Sequence, residues 1–173
     1  MALAEPVGGI CETFASVVLA LSLALGGSTG EARARLRHAL DAESPEGLGR
    51  DRITEYVSIA LTWLGDYEEA IATINGMVES ARTMSAPATL AHTLTISAEL
   101  SQRTGRWTAA LADASEAVTL ARETGQESFV SWPLVALARV EAGLGLEQEA
   151  RGHITEAIAL TTQYNIEIGR AHV

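Results

Sequence analysis

Apolar residues recur along this chain at the spacing of a helix, and the recurrence itself repeats. From Ala88 to Arg103 the apolar positions Leu90, Ala91, Leu94, Ala98 and Leu100 share one helical face. Thr104-Gly105 then breaks the run, as glycine after a last turn does. A second stripe follows from Trp107 to Glu123, through Ala110, Leu111, Ala114, Ala117, Val118 and Ala121, and Gly125 closes it. The unit predicted is an antiparallel helix hairpin. Ile53 to Leu64 with Tyr67 to Arg82, Phe129 to Leu144 with Glu149 to Thr162, and Ile10 to Leu25 with Glu31 to Ala42 read the same way. Pro45-Glu46-Gly47, Ser85-Ala86-Pro87 and Gly125-Gln126 connect the hairpins.

The turns within hairpins set the period. Gly65-Asp66-Tyr67-Glu68-Glu69-Ala70, Gly105-Arg106-Trp107-Thr108-Ala109-Ala110 and Gly145-Leu146-Glu147-Gln148-Glu149-Ala150 follow one another every 40 residues, and a weaker copy, Gly27 to Ala32, lies 38 residues upstream of the first. Leu36, Ile74, Ala114 and Ile154 are equivalent, as are Leu40, Val78, Val118 and Ile158. A period of this length signals stacked repeats. The fold class expected is all-α, a right-handed α–α superhelix of about four hairpins. The repeats cover approximately 9–45, 46–86, 87–126 and 127–166 in one domain, with 167–173 opening a further helix.

The pattern Gly-x-Tyr/Trp-x-x-Ala, with an apolar residue four positions later, resembles the turn and second helix of the tetratricopeptide repeat. Leu64-Gly65-Asp66-Tyr67 is its best match. The first-helix Trp and closing Pro of that family are largely missing, and the period exceeds the family's ~34 residues, so HEAT or armadillo arrays are the structural alternative. Trp107 to Gly125 and Trp132 to Arg151 further resemble the helical-repeat region of large LuxR-family regulators of the maltose-activator kind. That resemblance implies a bacterial sensor or oligomerisation module, flanked in the family by an ATPase and a helix-turn-helix that this sequence does not contain. A stand-alone adaptor docking peptides of a partner is the alternative.

Composition narrows the function. The 12 basic residues, all arginine, face 22 acidic ones, a net charge of −10. This argues against nucleic-acid binding by this segment, and the absence of lysine excludes a Walker A loop. One cysteine, Cys11, allows no internal disulfide. It is expected as a buried thiol in a reducing, cytoplasmic setting. Phe14 to Leu25 is apolar but too short for a bilayer and lacks the basic flank of a secretion signal. It is expected as a helix buried on several sides, a homodimer contact being one way to cover it. Asn165 to Val173 falls where another first helix should open, with His172 one period after Trp132. No polar cap is evident, which suggests a piece of a longer chain or an uncapped end that a second copy covers.

Tetratricopeptide arrays bind on the concave face that their first helices line. Carried over through the alanine register, that face comprises Arg52, Glu55, Thr62 and Trp63; His92, Thr95, Glu99, Gln102 and Arg103; and Trp132, Val135 and Arg139, with Phe14, Val17 and Leu21 at the apolar end. Arg52, His92 and Trp132 form a column at one period's spacing. Arg, His and Trp in a concavity suit a protein, peptide or small acidic inducer. The charged members could equally pair with one another across repeats. His38, His92, His153 and His172 are scattered, so no metal, cofactor or catalytic residue is expected. Glu68-Glu69 and Glu147-Gln148-Glu149 are expected to offset helix dipoles.

Overall fold

In a computed structural model, the chain is described at residues 7–41 and 48–164, with side chains at 11–39 and 53–164. Arg52 falls outside the described side chains, and the expected opening of a further helix after Tyr164 falls outside the described residues. The described residues form eight α-helices and no strand. They are α1 (Val7–Leu25), α2 (Thr29–Asp41), α3 (Leu48–Leu64), α4 (Tyr67–Thr83), α5 (Pro87–Arg103), α6 (Trp107–Glu123), α7 (Ser131–Gly143) and α8 (Glu147–Gln163). The order is that of consecutive hairpins in a helical-repeat protein. α3 starts earlier than the apolar stripe suggested. α7 starts later, at Ser131 instead of Phe129, because residues 127–130 form a turn. Pro133 then sits in the first helical turn, where its missing N–H costs nothing.

The same turn is built every time. Gly65 N–H bonds Thr62 O and Asp66 N–H bonds Leu61 O; Gly105 and Arg106 repeat this on Gln102 and Ser101, and Gly145 and Leu146 on Ala142 and Glu141. This is a Schellman closure, whose first residue past the helix must be left-handed. The glycines there have φ between 75 and 80°, and Ser85 takes the same role between α4 and α5 with φ 51°. The residue after each glycine immediately accepts the opening bond of the next helix, from Ala70, Ala110 and Ala150 in turn. Those alanines are buried because two helices diverging from so short a turn leave room for only a methyl group.

The chain divides into two compact units within α4, between Met77 and Val78. In the first, α1 packs on both α2 and α3. Val17, Ala20, Leu36, Val57, Ala60, Leu61 and Ile74 are buried. Arg33 ties α2 to the α3–α4 turn through paired bonds to Asp66 (2.7 and 3.0 Å) and one to Leu64 O (2.7 Å).

In the second unit, α5 packs on α6, α7 on α8, and α7 also on both α5 and α6. Ala91, Ala98, Ala114, Val118 and Ala121 receive Val130, just ahead of α7, and Leu134 and Leu137 of α7. Ala81, at the end of α4, meets Leu90, Leu94 and Ala117. Surface pairs obey the same translation. Arg82–Glu116 (2.9 Å) recurs 40 residues on as Arg122–Glu156 (2.5 Å).

Two expectations for α1 are corrected. It is not buried on several sides: Phe14, Val18, Leu19 and Leu25 are exposed, because α2 and α3 cover only the face bearing Thr13, Val17 and Ala20. Cys11 lies on the open side and is exposed, not buried. Among the described residues, no helix is long and apolar enough to cross a membrane.

Candidate functional site

The first-helix positions singled out by register distribute over both units. In the first, Trp63 is exposed near the end of α3, whereas Glu55 is buried within the same helix. Thr62 is buried as well, its hydroxyl donating to Ser58 O at 2.7 Å. Of the apolar trio, Val17 is core and Phe14 sets its ring edge-on to Tyr56 at 5.3 Å.

The second unit brings several candidates together. His92 of α5 and Trp132 of α7, one period apart, touch ring to ring at 4.9 Å, much closer than the helix–helix spacing alone would set them. Phe129 completes the cluster. It stacks on His92 at 5.0 Å with planes 18° apart, and stands edge-on to Trp132 at 5.6 Å. All three residues are partly buried. Phe129 opens the predicted helix Phe129 to Leu144 but is not among the face positions carried over through the alanine register; in the structure it precedes α7. The available signal was its place one turn before Trp132.

Two turns and three turns further along α5 from His92 lie Glu99 and Arg103. Arg139 of α7 reaches Glu99 at 3.4 Å, and the Arg139 carbonyl accepts a bond from Gln102 (3.3 Å). This is the cross-repeat pairing that the register left open. The pair is solvent-facing and so contributes little to stability. Arg103 is exposed. Thr95 is a correction: it is fully buried and its hydroxyl is spent on Ala91 O at 2.8 Å, so it offers no ligand contact. Glu55 is withdrawn from the binding face on the same ground of burial. Val135, by contrast, is exposed.

Other polar groups hold the scaffold. Ser97 donates to Asp113 at 2.7 Å, and partial burial pushes the Asp113 carboxyl above its ordinary value, against the lowering effect of that bond. Glu141 is buried in α7 and meets His153 Nδ1 of α8 at 2.7 Å. Sequence reasoning counted His153 as isolated. The clue was a glutamate inside an apolar stripe, which requires a partner. Glu68 and Glu69, and Glu147 and Glu149, do open α4 and α8. Among the described residues no three His, Cys, Asp or Glu side chains are grouped to hold a metal.

A family model described as anaphase-promoting complex subunit 5 matches this chain three times, over residues 55–104, 96–139 and 124–167. Together the matches span well over half of the sequence. The chain belongs to the anaphase-promoting complex subunit 5 family. One model fitting three staggered, overlapping segments is what a repeat produces, since each hairpin offers the same face to alignment. In this family member, the matched region contains the whole ring cluster and the Glu99–Arg139 pair. No curated protein matches the chain.

Proposed function

We propose that this chain is a non-catalytic interaction module that binds a protein or peptide on the first-helix face of its second unit. The observation that carries the reading is the ring cluster His92–Phe129–Trp132, with the Glu99–Arg139 pair and the exposed Arg103 further along the same helices. Partly exposed aromatic rings supply contact area at low entropic cost, and exposed arginines supply bidentate donors. Family membership supports a protein partner, since the family is described as a subunit of a complex. Trp63 and Arg52 are proposed as contacts of the first unit taken by itself.

The finer reading follows from the resemblance to LuxR-family repeat regions. The 173 residues would form one array of copies at 9–45, 46–86, 87–126 and 127–166, serving a cytoplasmic bacterial regulator as its sensor or oligomerisation segment. A partner or a small-molecule inducer on the face would shift the populations of its assemblies. The stand-alone peptide-docking adaptor is the second reading, favoured by the exposed arginines of the face.

A displayed random-peptide library selected on the whole chain tests the common core of both. Enriched peptides should lose at least tenfold in affinity on Trp132→Ala and on Arg139→Glu, with helix content unchanged. Peptides that bind wild type and both variants alike, or no enrichment at all, would refute the site.

A further inference from the structure

Charge in the second unit is divided unevenly between first and second helices. The first helices present Arg103 and Arg139 against Glu99, because Glu141, their other acid, is buried against His153 of α8. The second helices carry the reverse balance: Asp113, Glu116 and Glu123 against Arg122 in α6, and Glu147, Glu149 and Glu156 against Arg151 in α8. In a chain of net charge −10, an arginine excess on one face is a local inversion of sign. Such a face attracts and orients an acidic partner, which the rest of this unit repels.

The rings and the arginines lie in line along these helices. Trp132 and Arg139 are two turns apart on α7, as His92 and Glu99 are on α5, a rise of about 10 Å. Arg103 lies three turns from His92, about 16 Å along the axis. The bond from Gln102 to the Arg139 carbonyl, at 3.3 Å, holds the last turn of α5 against that part of α7. Ile96 and Ala136, which continue the line of the rings, are buried, and Val135 opens with Trp132 towards α8. Past the rings the line therefore shows charge and amide, not large apolar side chains. A docked amphipathic helix needs apolar pockets on successive turns, and this line offers only the first. An extended segment needs one anchor. At about 3.3 Å per residue, it covers 10 Å in about three residues and 16 Å in about five.

Building on the peptide-binding reading above, we infer that the partner of this face is an acidic segment in extended conformation. One apolar side chain sits among His92, Phe129 and Trp132, and carboxylates about three and five residues along meet Arg139 and Arg103. Arg139 is available to it. Its contact with Glu99 is long, at 3.4 Å, and solvent-facing, so a ligand carboxylate accepting paired bonds can replace it. Arg103 is exposed and makes no ion pair among the described residues, so nothing has to be displaced there. Glu99 opposes the ligand twice, as a rival for Arg139 and as a like charge.

Fluorescence anisotropy on the whole chain decides the matter, with fluorescein-labelled Gly/Ser peptides amidated at the C-terminus so that only side-chain carboxylates are read. One peptide carries Phe followed by Glu three and five positions on, and a second carries the same residues in reverse order. One of the two should bind roughly tenfold tighter than its Gln counterpart, the worth of a charge-assisted bond, and should weaken as salt rises. A peptide with its Glu residues at the helical spacing, seven and eleven positions from Phe, should bind no better than the Gln peptide. Arg103→Gln and Arg139→Gln should each remove about tenfold, whereas Glu99→Gln should tighten binding by roughly threefold, all with the wild-type helical circular dichroism. Equal binding of Glu and Gln peptides, tighter binding at the helical spacing, weaker binding on Glu99→Gln, or failure of both orders to bind overturns the inference. So does a displayed library whose enriched peptides depend on Trp132 but show no acidic excess, and in that case the peptide site itself stands. A library that enriches nothing removes the site as well.

Discussion

Replacing Gly105 with alanine tests the turn on which the repeat depends. Gly105 has φ 75°, and a Cβ built there meets nothing within 4 Å. The penalty is therefore conformational, not steric. A left-handed L-residue costs about 1–2 kcal/mol. Alanine recovers about 0.4–1 kcal/mol by restricting the unfolded chain. The net expectation is a loss of about 1 kcal/mol, with the Schellman bonds from Gly105 N–H to Gln102 O and from Arg106 N–H to Ser101 O retained. Gly152 supplies the opposing control. It lies inside α8, exposed, with open space at its Cβ and no positive φ. There alanine should stabilise by up to about 1 kcal/mol through helix propensity. Urea unfolding followed by helical circular dichroism measures both changes. Gly65→Ala and Gly145→Ala should repeat the Gly105 result. A neutral or stabilising Gly105→Ala, or equal signs at Gly105 and Gly152, would refute the assigned turn geometry.

Ser85 holds the left-handed position that Gly125 occupies one period later. Ser85→Gly should therefore raise the urea midpoint, by up to about 1 kcal/mol in stability. Burial raises the Asp113 carboxyl above its ordinary value, so the folded state holds that proton more tightly than the unfolded chain. Stability from this group is then greatest at low pH and falls as pH rises from the ordinary carboxylate range through the raised value; Asp113→Asn, which can still accept from Ser97, should flatten that part of a stability–pH curve. Ala110 is fully buried in the hairpin, so Ala110→Trp should overpack it and cost at least ~1–3 kcal/mol in thermal unfolding. Glu116→Gln, which weakens only the exposed pair with Arg82, should change stability by less than about 1 kcal/mol.

The hairpins were readable because two requirements leave residue-specific marks. A left-handed turn position selects glycine, and close helix approach selects alanine, so Gly65–Ala70, Gly105–Ala110 and Gly145–Ala150 marked their turns directly. Ser85 broke the first rule and shows that hydrogen bonding can hold a serine where glycine is preferred. The binding face was less readable. Register places Thr95 and Glu99 on the same side of α5, but it does not show that the Thr95 hydroxyl turns back to its own helix while Glu99 reaches Arg139. Phe129 escaped because the alanine register carried over only Trp132, Val135 and Arg139 from that helix, whereas the Phe129 ring reaches His92 from the turn ahead of α7. Cys11 and the outer side of α1 were misjudged for a different reason: hydropathy reports that a face is apolar, not whether a neighbour is there to cover it.

Translational order among the hairpins is the claim beneath all of these, and deletion of one full period probes it most directly. Removing residues 87–126 takes out α5, α6 and the turn that follows, and joins Ala86 to Glu127 at equivalent register. α7 would then meet Ala81 and Val78 of α4 in the place of α5, with Leu134 replacing Leu94. The shortened chain should keep the helix content expected of its six remaining helices and unfold cooperatively in urea, whereas a deletion ten residues shorter should not. A full-period deletion that loses its helices or its cooperative transition would contradict the account.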